Sequence, residues 1–152
     1  MKNSFLTFCG MLLVLGLCHS VRADLQQPKI LAVELYADWC TICKRIEPNY
    51  QRIQEQFAGQ GVLFLRFDRT DQAAEEQSRL LAASLGIERA YQLQEGTGRV
   101  LLIDPISKVV VGQLTKAHSY ADMEKILNLV LSGEVVDNVY EHSSADTSGD
   151  SP

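Results

Sequence analysis

Residues 30–37 form a continuous apolar run broken only by Glu34, the pattern of a central strand buried on both faces. From residue 41 the period changes. Ile42, Ile46, Tyr50, Ile53 and Phe57 recur every three or four positions and predict a helix over 41–57 with one buried face. Pro48 falls inside that helix and predicts a kink or local unravelling, because it removes a main-chain donor. Gly59 and Gly61 end the helix, and residues 62–68 read as a second strand. Asp71 is placed to cap a helix from Gln72 to about Leu85, stopped by Gly86. Residues 88–98 show no readable period. Residues 99–103 and 108–114 flank Asp104-Pro105-Ile106-Ser107 and predict an antiparallel hairpin. Ser119 caps a last helix through Leu131, with Met123, Ile126, Leu127 and Val130 on its buried face. The order strand, helix, strand, helix, strand, strand, helix is that of an α/β domain. It predicts a central mixed sheet of about four strands flanked by helices.

The two ends read differently. Lys2, the apolar stretch 5–18 and Val21-Arg22-Ala23 have the plan of an export signal cleaved after Ala23. That stretch is shorter than the roughly 20 residues a spanning helix needs; an uncleaved anchor is the alternative. Leu17 is too large for the residue before a lipoprotein cysteine at Cys18. Residues 134–152 carry little to bury and read as a disordered acidic tail, with His142 solvated. The expected organisation is a signal peptide over 1–23, one domain over 24–133 and a tail over 134–152. Cleavage would remove Lys2 and Arg22, making a chain of formal charge −5 more acidic still. An acidic balance argues against nucleic acid as a partner.

Cleavage would also remove Cys9 and Cys18, two of the four cysteines, and leave Cys40 and Cys43. These follow the first strand directly, within Tyr36-Ala37-Asp38-Trp39-Cys40-Thr41-Ile42-Cys43-Lys44. Two thiols separated by two residues at the first turn of a helix suit redox chemistry. Unpaired N–H groups and the helix dipole stabilise a thiolate at Cys40, and Cys43 is close enough to resolve a mixed disulfide. Half of a zinc site and a structural disulfide are the alternatives; structural zinc takes four ligands, and a bridge closing so small a loop contributes little chain entropy. Thr41-Ile42 offers no polar or cationic side chain between the cysteines, which argues against a strongly oxidising couple. Lys44 stands where a haem attachment motif needs His. His118 reads as a surface histidine.

On these residues the chain resembles the thioredoxin-like family over roughly 28–132. The string Leu35-Tyr36-Ala37-Asp38-Trp39-Cys40-x-x-Cys43-Lys44, with Pro48 five residues after the second cysteine, looks most like exported members. These are the C-terminal domain of DsbD-type reductases and the thioredoxin-like proteins of cytochrome maturation. The resemblance implies a thioredoxin-like fold with catalytic Cys40, Cys43 and Glu34. Cys40 and Cys43 would form the redox-active disulfide, with Cys40 the nucleophile and Cys43 the resolving thiol. Glu34 would be a buried acid relaying the proton of Cys43, and Trp39 an apolar lid. From the residues alone Glu34 could equally face solvent at a sheet edge. Phe64 stands where the family often places a Lys beside that acid; Arg66 could substitute for it.

The family carries a cis-proline facing the cysteines, and this chain has no proline between Pro48 and Pro105. Counting back from Asp104 puts Gly98 there, preceded by Thr97; matching on Gly86-Ile87 would put Tyr91 there instead. With Thr97 and Gly98 taken as the substrate groove, a trans peptide is expected, in a more mobile loop whose free N–H reaches the sulfurs. Gly98→Pro would then restore a family-like groove. The reading is an exported thiol–disulfide oxidoreductase, periplasmic or otherwise extracytoplasmic. It is expected to be monomeric, to need no cofactor and bind no nucleic acid, and to act on disulfide-bonded or dithiol proteins. A membrane electron donor is among the partners it admits. A binding module with little redox turnover and a metal-handling dithiol protein are the other classes; a buried Cys40 would favour the binding module.

Overall fold

The computed structural model describes residues 27–136; the proposed signal segment and most of the proposed tail lie outside them. The elements in chain order are β1 (Ile30–Tyr36), α1 (Thr41–Gln56), β2 (Val62–Asp68), α2 (Gln72–Ser84), α3 (Glu88–Gln92), β3 (Arg99–Ile103), β4 (Val110–Thr115) and α4 (Tyr120–Leu131). The strands form one sheet in the order β2-β1-β3-β4. β1 runs parallel to β2 and antiparallel to β3, and β3 runs antiparallel to β4. This is a thioredoxin-like α/β fold.

Side-chain alternation along β1 divides the apolar residues between two layers. Ile30 and Ala32 pack with Ile46, Tyr50, Ile53 and Phe57 of α1 and with Met123, Leu127 and Val130 of α4. Leu31, Val33 and Leu35 face the other way, onto Phe67, Ala82, Ile87 and Tyr91. Glu34 therefore enters the layer beneath α1, among apolar neighbours.

The caps fit their sequences. Asp71 accepts from the Ala74 amide at 2.9 Å, and Ser119 and Asp122 form a reciprocal capping box on α4. α1 continues through Pro48 rather than unravelling there. α3 lies in the stretch that showed no period; five residues are too few to display one. The hairpin's second strand starts later than expected. Lys108 has φ 62° and its amide donates to the Asp104 carbonyl at 2.9 Å, so residues 108 and 109 still belong to the turn. His118 is not simply a surface residue: it is partly buried, and its Nδ1 accepts the Thr115 amide at 3.1 Å. Burial holds its pKa below the ordinary histidine range.

Of Glu134 to Val136, placed in the tail by composition, Glu134 is tied by its amide to the Leu129 carbonyl and Val136 is packed, while Val135 is exposed. The Val136 amide donates to the Val111 carbonyl at 2.8 Å and its side chain lies on the α1/α4 layer. The polar residues that follow Val136 masked one hydrophobic contact and a main-chain bond to the β4 edge. No helix among the described residues is long and apolar enough to cross a membrane.

Candidate active site

β1 ends at Tyr36, and a tight turn, in which the Cys40 amide donates to the Ala37 carbonyl at 3.0 Å, delivers Cys40 to the start of α1. Cys40 is the N-cap of that helix, with extended backbone, and its sulfur accepts from the Cys43 amide at 3.0 Å. The two cysteines are joined as a disulfide with Cα atoms 5.3 Å apart. Cys43 is completely buried and Cys40 is 5% exposed, so only Cys40 has any surface. Its exposure is smaller than an open groove would give. Cys43 Sγ lies 3.7 Å from the Leu35 carbonyl oxygen, which is positioned to accept a hydrogen bond from the thiol of the reduced form.

Trp39 is 64% exposed, with its indole N–H tied to the Thr70 carbonyl at 3.0 Å. The Asp38 amide donates to Thr70 Oγ1 at 3.0 Å, and Asp68 Oδ1 holds the Thr70 amide at 2.8 Å. The residues before Cys40 are thus fastened to the end of β2.

Glu34 is 1% exposed. It is not at a solvent-facing sheet edge, because β1 is paired on both sides. The parallel register sets Glu34 opposite Arg66, whose Nε donates to Glu34 Oε2 at 2.7 Å. The same guanidinium donates to Glu47 Oε1 at 2.9 Å and lies 4.3 Å above the Tyr36 ring. Glu47 stands four residues after Cys43, one turn further along α1. Glu34 Oε1 is buried with no hydrogen-bond partner among the described residues. Burial raises the Glu34 pKa, and this outweighs the bond to Arg66, which pulls the other way.

Gly98, not Tyr91, is the residue beside Cys40. Tyr91 lies in α3, buried edge-on against Phe67 with ring centroids 5.3 Å apart. A Cβ added to Gly98 would sit 3.5 Å from Cys40 Sγ, and 2.5 and 2.8 Å from Ile42 Cγ2 and Cβ. The peptide bonds of the described residues are all trans. Two expectations for this loop are corrected. The Gly98 N–H does not reach the sulfurs, because it donates to the Leu35 carbonyl at 2.8 Å. Nor would Gly98→Pro restore a groove: Gly98 has φ +83°, a region closed to proline. Thr97 precedes it, partly buried.

Residues 19–82 match the thioredoxin family model. That span contains β1, both cysteines and Glu34. Over that span the chain is similar to the thioredoxin family. It is similar to thioredoxin F of the chloroplast of Oryza sativa subsp. japonica, 33% identical over 61 residues, which are 40% of this chain and 29% of that protein. It is likewise similar to the chloroplast F-type thioredoxin of Brassica napus, 36% identical over 59 residues, 39% of this chain and 29% of that one. The chain thus spans less than a third of the length of these relatives. Among solved structures it is similar to Chlamydomonas reinhardtii thioredoxin f2, with a TM-score of 0.43 and 21% identity over 74% of this chain and 86% of that one. A thiol:disulfide interchange protein of the thioredoxin family from Chlorobium tepidum TLS gives a TM-score of 0.47 and 21% identity over 68% and 80%. Gly98 lies beyond the residues that match the family model, so its place beside Cys40 comes from the geometry alone.

Two residues that carry the site were not picked out from sequence. Glu47 joins Arg66 to α1, and Arg69 donates to carbonyls 22 to 27 residues away. The spacing of Glu47 from Cys43 was the one available clue; nothing local marks Arg69. Among the described residues no group of three or more His, Cys, Asp or Glu is arranged to hold a metal ion.

Proposed function

We propose that this protein is a thiol–disulfide oxidoreductase acting on partner proteins. The observation that carries the reading is the Cys40–Cys43 disulfide at the N-cap of α1 with only Cys40 at the surface. In the reduced form the Cys43 amide and the helix dipole favour the Cys40 thiolate. That thiolate attacks one sulfur of a partner disulfide, and the other partner sulfur leaves as a thiolate. Cys43 then gives up its proton, with Glu34 as acceptor, and attacks Cys40 Sγ, releasing the second partner thiolate. Two electrons pass to the partner and the Cys40–Cys43 bond re-forms; an external dithiol resets the pair. The test is dithiol-driven reduction of a disulfide-bonded protein by the purified chain, which should run well above the rate of the dithiol alone.

The small exposure of Cys40 favours a second reading, a binding module with little turnover. Alkylation separates the two. The reduced protein should react with iodoacetamide at Cys40 and spare Cys43; an unreactive Cys40 supports the binding module.

Glu34→Gln should slow the resolving step by about 100-fold or more. In the parent protein that step should also fall as pH drops through the raised Glu34 pKa, where the carboxyl can no longer accept a proton; the variant should lack this limb. The sign for stability is the reverse. A raised folded-state pKa gives stability that is present below the ordinary value of 4.5 and lost as pH rises through the folded value. Glu34→Gln should therefore gain on the parent in neutral buffer and lose that advantage near pH 4.5. Paired unfolding curves at the two pH values check this.

The finer placement is also proposed. The Leu35 to Lys44 string supports kinship with exported members of the family, while the relatives matched are chloroplast thioredoxins. Export rests on the Lys2, apolar and Val21-Arg22-Ala23 pattern. Mass measurement of the protein secreted by a host should show a chain beginning at Asp24; retention of residues 1–23 in the cytoplasm would remove this part of the proposal.

A further inference from the structure

Arg69 spends its whole guanidinium on neutral oxygens of α3 and of the loop that follows it. Its Nε donates to the Tyr91 hydroxyl at 3.0 Å and one terminal nitrogen to the Tyr91 carbonyl at 3.3 Å. The other terminal nitrogen donates to the carbonyls of Gln94 at 2.9 Å and Gly96 at 3.0 Å. The guanidinium also lies 4.2 Å above the Tyr91 ring, and its own amide is fixed to the Tyr36 carbonyl at the end of β1. No carboxylate pairs with this arginine among the described residues.

The loop so gripped runs from Gln94 to Gly98 and ends beside Cys40. Gly96 and Gly98 take φ of +75° and +83°, and the second is tied to Leu35. Arg69 therefore holds one end of the loop and β1 holds the other. Between them, the amide and carbonyl of Thr97 have no hydrogen-bond partner among the described residues. An open donor and acceptor on a clamped peptide next to Cys40 can pair with an extended backbone.

We infer that Arg69 is a positioning residue that fixes the Thr97 peptide to receive the backbone of a disulfide-bonded protein at Cys40. The inference rests on the oxidoreductase reading. It predicts an effect on large substrates that small disulfides escape, because hydroxyethyl disulfide has no peptide backbone to pair.

Arg69→Lys and Arg69→Gln would be assayed as full chains with a disulfide-bonded protein and with hydroxyethyl disulfide. Lysine keeps the charge but cannot reproduce the planar fork. The ratio of kcat/KM on the protein to that on the small disulfide should fall about 10- to 100-fold, chiefly through KM. Gly96→Ala disturbs the same loop without touching Arg69, through backbone strain alone, since an added Cβ meets nothing within 4 Å. It should lower the same ratio, and it keeps the test open if an Arg69 variant does not fold. An unchanged ratio in the folded variants overturns the inference, whether both substrates are lost together or neither is affected. Wild type inert on both substrates removes the oxidoreductase reading and this inference with it; an active wild type with unchanged ratios removes this inference alone.

Discussion

Cys40→Ala is expected to bring catalysed disulfide reduction down to the rate of the free dithiol, a loss of several orders of magnitude. Cys40 alone of the pair has surface, so no other sulfur of the motif can meet a partner. Cys43→Ala should behave differently. The nucleophile and its N-cap position remain, the first exchange proceeds, and the mixed disulfide has no resolving thiol. A covalent adduct should accumulate on non-reducing gels, and peptide mapping should place it at Cys40. Equal activity of Cys40→Ala and wild type would end the enzyme reading and leave the binding module. An adduct mapped outside Cys40 would reassign the nucleophile.

The second large effect is at Gly98. Gly98→Ala puts a methyl group 2.5 Å from Ile42 Cγ2 at φ +83°, which combines overpacking with left-handed strain and should cost about 2–4 kcal/mol. Gly98→Pro should cost more, because the ring demands φ near −65° and removes the N–H that holds the Leu35 carbonyl at 2.8 Å. For a domain of this size the midpoint of thermal unfolding should fall by about 10 °C or more. Ile42→Ala combined with Gly98→Ala should recover the part due to overlap and leave the part due to φ. A Gly98→Pro protein that unfolds at the wild-type temperature would contradict the geometry.

Most of the fold was legible because its signals are local and redundant. The run in β1, the three-and-four spacing of Ile46, Tyr50 and Ile53, and the Ser119 cap each act within one element. The buried set Met123, Ile126, Leu127 and Val130 follows from the period alone. α3 was not legible, since its five residues hold barely more than one turn. Val136 was hidden by the polar residues after it.

The site divides along the same line. Cys40 and Cys43 are marked by spacing, and Glu34 by being a single charge in an apolar strand. The Arg66 pairing followed from side-chain alternation, which puts residues 64 and 66 on one face of β2. The loop before β3 did not follow. A glycine in place of a proline is visible in the sequence, but the sign of φ, the Leu35 bond and the grip of Arg69 arise only when three separated segments meet. The closeness of Gly98 to Cys40 likewise arises only in the folded chain, where an added Cβ would sit 3.5 Å from the Cys40 sulfur.

The central claim is that Cys40 and Cys43 form a working redox couple with Cys40 as its outer thiol. The most direct measurement is the single-turnover rate of the reduced protein with a disulfide-bonded protein, set against dithiothreitol at the same dithiol concentration and neutral pH. The account predicts a second-order rate constant at least about 100-fold above that of dithiothreitol, with Cys40–Cys43 recovered as the product disulfide. A rate no faster than dithiothreitol would contradict it.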